Sequence, residues 1–330
     1  LVSPGASALE PRALRGADVG DGAVTVASVT SLSPDRAALR AKNVGASEVA
    51  ALFGLSTHTT LFELWHRKAG NLAEDDLSGV DAVEAGIFLE PSIAEWIAHR
   101  NGWKIRKVHR YCQHPTVAGM GASPDYEIVG HPKGRGTLQI KNVDGIVRRG
   151  WADDQPPMSF QLQVQHEIAC GGYAWGALGV LVGGNRPETF GFDRHESAIA
   201  KIETAVAEFW RTIRDGEEPR PDFERDLSAI QDLYDFANPG KVLDLAADER
   251  FAEACDRYKA ASAGESAAKK AKDAAKAEIL ATMKDAELAL ANGFKVSTWN
   301  VSECPMAYTR DAYRGFRCST LPAKPEKAER

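Results

Sequence analysis

Five cysteines in 330 residues (Cys112, Cys170, Cys255, Cys304 and Cys318) include no CxxC pair and no zinc-type pairing with histidine. That scatter argues against a zinc site, an iron–sulfur nuclease centre and a secreted disulfide framework. No apolar run approaches the roughly 20 residues that a membrane helix needs, so no membrane partner is expected. The N-terminus has no charged-then-apolar leader, which makes a cytoplasmic location the expectation. Internal repeats are absent. A basic excess is missing too: the formal net charge is −6 and the isoelectric point near 5.8, which do not advertise a nucleic-acid binder. They leave room for one, because a basic cleft can work within an acidic protein and acidic metal ligands lower the isoelectric point.

What is present is the composition of a folded chain, 44% hydrophobic and 26% charged, long enough for one large core or a core with an appendage. Residues 1–33, rich in Gly, Ala, Ser and Pro, read as a tail. Ser47 is the expected N-cap of a short helix, Glu48 to Phe53, closed by Gly54. Leu61 opens a second helix that ends before Gly70. A third runs from about Val83 to His99, with Pro91 marking a kink or break. The period then changes: Val108–Gln113, Gly119–Ala122, Tyr126–Val129 and Thr137–Lys141 read as short strands. Ser159–Cys170 reads as helix, Trp175–Leu181 and Thr189–Phe192 as strands, and Glu196–Asp215 as an amphipathic helix. Residues 247–286 are Ala-, Lys- and Glu-rich and predict a long helical arm, or a helical hairpin about Ala263-Gly264. Asn292-Gly293 predicts a β-hairpin between Leu288 and Val301. The expected organisation is a tail at 1–33, an α/β (α+β) domain at 34–225, an arm and hairpin at 226–319, and a charged tail at 320–330.

The chemistry concentrates at Ser123-Pro124-Asp125 and, fourteen residues on, Leu138-Gln139-Ile140-Lys141. Metal-assisted phosphodiester hydrolysis needs oxygen ligands on a rigid frame and a cation to orient water. Asp125 would start one strand, while Gln139 and Lys141, two apart, project from one face of the next and Ile140 from the other. Glu90, within Gly86 to Pro91, places a further carboxylate on a helix. Gln161, Gln163 and Gln165 with His166 crowd another helix, and they cannot all face one core. Arg40 lies seven residues before Ser47, beside a helix N-terminus of the kind that binds anions.

In order, these segments resemble the YqaJ-type phage recombinase exonucleases, the family that includes the lambda exonuclease. Val44 to Val49 resembles the family's opening segment, and Leu61 to Trp65 its second helix. Gly86 to Pro91 resembles its G-x-x-x-E-P motif, Ser123 to Asp125 its (S)PD, Gln139 to Lys141 its E-x-K, and Gln163 to His166 its Q-V-Q segment. The resemblance implies a restriction-endonuclease-like core with a central mixed sheet flanked by helices. It also implies a Mg²⁺-dependent exonuclease (Mn²⁺ as a substitute) that digests linear double-stranded DNA from the 5′ end. Asp125, Gln139, the Ile140 carbonyl and Glu90 would hold metal, Lys141 would activate water, Gln163 would brace the site, and Arg40 and Ser47 would hold the 5′-phosphate. A single-strand annealing protein as partner, a ring-shaped homo-trimer and a phage or prophage origin in a bacterial host follow from the same resemblance.

Position 139 departs from the pattern, with Gln where the motif has Glu. An amide oxygen ligates Mg²⁺ without a formal charge, so the alternative is a weakened or inactive nuclease-fold protein that binds DNA ends. Glu127, two residues after Asp125, is the candidate to replace the missing carboxylate, with a solvent-facing strand acid as the competing reading.

Overall fold

The computed structural model describes residues 34–77, 79–291, 293–305 and 312–319. The expected tails at 1–33 and 320–330 lie outside these residues. The chain forms two compact units, one ending at Asp226 and the other beginning at Leu227.

The first unit runs α1 (Pro34–Ala41), a 3₁₀ turn (Val49–Phe53), α2 (Leu61–Lys68), α3 (Asp81–Asn101), β1 (Lys104–Lys107), β2 (Cys112–Gln113), β3 (Gly121–Ala122), β4 (Tyr126–Val129), β5 (Gly136–Val143), α4 (Gly145–Arg149), α5 (Met158–Gly171), β6 (Trp175–Val182), β7 (Arg186–Asp193) and α6 (Glu196–Asp215). Five strands form one mixed sheet in the order β1-β4-β5-β6-β7. β5 and β6 are parallel and the other neighbours antiparallel. A parallel pair requires a crossover, and α5 supplies it. This is the expected mixed α/β class, a central sheet flanked by helices.

The alternation of β5 decides what each face carries. Leu138 and Ile140 pack with Ile93, Ala94 and Ile97 of α3. The opposite face takes Val164 and Ile168 of α5, with Ile199, Ile202, Val206 and Phe209 of α6 in the same core. Thr137, Gln139 and Lys141 share the α5 side by parity. The helix comes close there because residue 176 is glycine: a Cβ would meet Thr137 Cγ2 and Val164 Cγ1, each at 2.7 Å.

Several elements differ from expectation. Ser47 is not an N-cap: Glu48 holds that position with no side-chain cap bond, ahead of a 3₁₀ turn, and Gly54 closes it in the left-handed conformation. Helix α3 runs from Asp81 to Asn101 with Pro91 inside it. The strand expected at Val108–Gln113 shrinks to Cys112–Gln113, and the sheet's edge strand is instead β1, Lys-Ile-Arg-Lys. Its side chains are largely exposed, which erased the apolar alternation of a typical strand.

The second unit comprises α7 (Leu227–Leu233), α8 (Glu249–Met283), β8 (Leu288–Ala291) and β9 (Phe294–Ser297). α8 is one 35-residue helix through Gly264, so the arm is not a helical hairpin. Asp248 caps it by accepting the Phe251 N–H at 3.0 Å. The hairpin forms, with Gly293 at φ 81° in its turn. Among the described residues no helix is long and apolar enough to cross a membrane.

Candidate active site

The register of β4 against β5, with Tyr126 opposite Leu138, brings Asp125 beside Gln139. Asp125 Oδ2 accepts the Ile140 backbone N–H at 2.9 Å and the Gln139 Nε2 at 2.6 Å. The same Nε2 donates to the Ile140 carbonyl at 3.2 Å. Both partners are pure acceptors, so the amide nitrogen must face them. Burial, reinforced by the negative charge of Glu90, pushes the Asp125 carboxyl up to about 6.

On the α5 side, Glu167 is 1% exposed. Its Oε2 accepts from Thr137 Oγ1 at 2.8 Å, and its Oε1 from Gln163 Nε2 at 3.3 Å. Burial and the charge of Asp125 push its carboxyl up to about 8. Lys141 is lowered by burial, against the opposing pull of Asp125 and Glu167, and its Nζ stands 5.3 Å from the centre of the Phe160 ring. Sequence reasoning missed Glu167, although its signal was available: Gln163 and Glu167 are i and i+4 on one helix face. His166, on another face of α5, bonds the Gly121 carbonyl at 2.9 Å and ties the helix to β3.

Glu90, on α3, is paired with Lys107 at the end of β1 and takes a hydrogen bond from Tyr126. Its charge is felt at Asp125. Glu127 does not take up the role of a second carboxylate beside Asp125. It is fully buried, bonded by Arg106, by Arg110 at 2.5 Å and by Tyr173 at 2.8 Å. The solvent-facing reading fails for the same reason. Arg106 and Arg110 are therefore occupied in neutralising this one acid.

Arg40 sits in the last turn of α1 and Ser47 precedes the 3₁₀ turn; both are exposed and neither touches Asp125. Their neighbourhood is held together by Lys68, whose Nζ donates to the Arg40 carbonyl at 2.9 Å and to Glu48 Oε1 at 2.8 Å. Glu48 Oε2 accepts the Gly45 N–H at 2.7 Å. Val44 pairs across to Gly119 and Gly121, the strand that leads into Ser123-Pro124-Asp125. Tyr111, half-buried with its hydroxyl oxygen buried and unpartnered, feels both Glu48 and Arg40 and packs on Gly121. The structure thus joins Asp125, Gln139 and Ile140 directly, Lys141, Gln163 and Glu167 around them, and Arg40 and Ser47 only through intervening backbone.

Among the described residues no three His, Cys, Asp or Glu side chains gather closely enough to hold a metal by themselves. The donor set still fits a hard cation. Asp125 Oδ2 and the Ile140 carbonyl converge on one point, filled by the Gln139 amide nitrogen, and hard divalent ions take carboxylate and carbonyl oxygens.

Residues 37–174 match the YqaJ-like viral recombinase domain. Over 215 residues the chain is 29% identical to the uncharacterized protein YqaJ of Bacillus subtilis (strain 168), covering 64% of this chain and 66% of that protein, just under two thirds of its length. Among solved structures it is similar to an alkaline exonuclease, LHK-Exo, from Laribacter hongkongensis, at 24% identity and TM-score 0.45 over 58% of this chain and 97% of that one. A phage related exonuclease from Haemophilus somnus 129PT aligns at 11% identity and TM-score 0.41, over 53% and 96% of the two chains.

Proposed function

We propose that this protein, whose residues 37–174 match the YqaJ-like viral recombinase domain, is a metal-dependent exonuclease that digests linear double-stranded DNA from the 5′ end during recombination. The observation that carries the reading is the placement of Asp125, the Gln139 amide and the Ile140 carbonyl about one point, with Lys141 on the same strand face. Asp125, the Ile140 carbonyl, the oxygen of a rotated Gln139 amide and Glu90 would hold Mg²⁺ or Mn²⁺. A divalent ion held there supplies Lewis acidity at the scissile phosphate and lowers the pKa of bound water. Lys141, desolvated and set between acids, orients the attacking water. Gln163 braces the pocket wall, and Arg40 and Ser47 receive the 5′-phosphate at the exposed end of the segment tied to β3.

Residues 34–225 form the nuclease domain in this reading and 226–319 an appendage. The working context is the cytoplasm of a bacterial host of phage or prophage sequences, with a single-strand annealing protein as partner and a homo-trimer as the assembly. One observation favours a second reading, a protein that grips DNA ends without cutting: the amide nitrogen of Gln139 fills the point where a cation would sit.

Digestion of linear duplex DNA with 5′-phosphate or 5′-hydroxyl ends, and of closed circles, tests the proposal. With Mg²⁺ or Mn²⁺ the phosphorylated linear duplex is degraded fastest, circles survive, and Asp125→Ala abolishes the activity. No digestion with either ion, or digestion indifferent to Asp125→Ala, refutes it.

A further inference from the structure

Two buried glutamates of the first unit are treated very differently by their surroundings. Glu127 is matched by two arginines and a tyrosine. Glu167, equally buried, receives hydrogen bonds among the described residues from two neutral groups only, the Thr137 hydroxyl and the Gln163 amide. A wholly buried carboxylate is ordinarily paired with a cation or is a metal ligand, and otherwise keeps its proton, because solvent no longer stabilises its charge. Lys141 is a positive group whose charge reaches Glu167, yet it makes no hydrogen bond to it, and its charge is shared with Asp125.

The position of Glu167 is as informative as its lack of a counter-charge. Thr137, to which it is tied, is two residues from Gln139 on β5, so both side chains leave the same face of the sheet. Gly176 lets α5 approach that face closely. Of the two bonds to Glu167, the one to Oε1 is the longer at 3.3 Å, so this oxygen is the more easily released. Gln139 meanwhile offers an oxygen ligand without charge.

We infer that Glu167 supplies the anionic metal ligand that position 139 lacks, so that the carboxylate pair of this site is Asp125 and Glu167 rather than two acids on adjacent strands. The inference rests on the metal-dependent reading of Asp125. The acid has moved from the strand to the helix that packs on it, and the oxygen set around the cation keeps two charges from different elements. Thr137 and Gln163 then act as positioning residues, holding the carboxyl toward Gln139 before the ion arrives.

Calorimetric titration with Mn²⁺ alone, without DNA, reads the site independently of catalysis. Glu167→Gln keeps the Thr137 hydrogen bond and the volume. It is expected to weaken Mn²⁺ binding at least as much as loss of a supporting group does, about 10–100-fold. The double variant Gln139→Glu with Glu167→Gln returns the acid to the strand and should restore both affinity and digestion. Wild-type Mn²⁺ affinity in Glu167→Gln overturns the inference, as does a double variant no better than Glu167→Gln alone while its thermal melting is unchanged. If Asp125→Ala removes digestion but Glu167→Gln does not, only the Glu167 assignment fails. If the wild type binds Mn²⁺ through Glu167 yet digests no DNA, the assignment stands and the exonuclease reading fails.

Discussion

Replacing Glu127 by glutamine removes a charge that lies wholly beneath the surface. Burial alone would raise its carboxyl, but the bonds from Arg106, Arg110 and Tyr173 outweigh burial and hold the group down to about 2, from an ordinary 4.5. A folded-state value below the unfolded one contributes stability above pH 4.5, and that stability is lost as pH falls toward 2. The displacement is worth about 3 kcal/mol at neutral pH, at about 1.36 kcal/mol per pH unit. The arginines are half exposed or more, at 61% and 50% for Arg106 and Arg110, so screening trims the figure to about 2 kcal/mol. The substituted amide would still accept from Tyr173 but would turn its N–H toward a guanidinium. Urea unfolding followed by tryptophan fluorescence reads the effect, since six of the seven tryptophans (Trp65, Trp96, Trp103, Trp151, Trp175 and Trp210) lie before Leu227. The variant should be about 2 kcal/mol less stable at pH 7, with the gap narrowing to about 1 kcal/mol near pH 3. A gap that does not change with pH, or no gap at pH 7, refutes the reasoning that the arginines are fixed on Glu127.

Two further outcomes follow from local geometry. Gly119 holds φ 80° and its Cβ would fall on the Trp210 indole, whose Nε1 donates to the Gly119 carbonyl at 2.7 Å. Gly119→Ala therefore combines backbone strain with overpacking and should cost about 3 kcal/mol in urea unfolding; a variant as stable as wild type would show that the loop yields freely. Asp125, with its carboxyl raised to about 6 by burial and by Glu90, must lose its proton to ligate a cation. With Glu167, its carboxyl pushed up to about 8, as the second ligand, Mn²⁺ affinity should fall as pH drops below about 8 and more steeply below about 6, and calorimetric titration finding the same affinity at about pH 5 and about pH 8 would contradict this.

How much of this was legible beforehand depends on the range of the interaction involved. Asp125, Gln139 and Lys141 come together through the period of a strand and the pairing of two strands close in sequence. Tyr126–Val129 and Glu196–Asp215 matched because the first is a short run rich in strand-forming residues bounded by turns and the second carries its apolar residues at helical spacing. β1 was invisible because its four residues, Lys-Ile-Arg-Lys, lie at the sheet edge and bury little. The fate of Glu127 was hidden, for it is decided by groups 17 to 46 residues away, and that of Glu167 half hidden, with Gln163 one helical turn back but Thr137 30 residues distant. A strand acid meets arginines from the neighbouring edge, and a helix acid meets a strand threonine across a glycine-thin gap. Nothing in the alternation of residues 126–129 separates a carboxylate that is neutralised from one left for a ligand. Arg40 and Ser47 were readable as residues beside a turn but not as a pocket, since what binds that segment to the sheet is backbone pairing between Val44 and Gly119.

The amide at position 139 therefore has a narrower meaning than loss of charge. Were Glu167 absent, Asp125 would face the cation alone among buried acids, with Glu90 tied to Lys107, and a glutamine at 139 would leave too little negative charge to draw a divalent ion from water. With Glu167 at the same face, a glutamate at 139 would crowd a further acid beside two whose carboxyls are already pushed upward, Asp125 by burial and the charge of Glu90, Glu167 by burial and the charge of Asp125. The neutral amide relieves that repulsion and, before an ion binds, its nitrogen satisfies both Asp125 and the Ile140 carbonyl. An amide at 139 and an acid at 167 are thus mutually consistent in a way that either alone is not, which is why the two positions must be changed together to learn what each does.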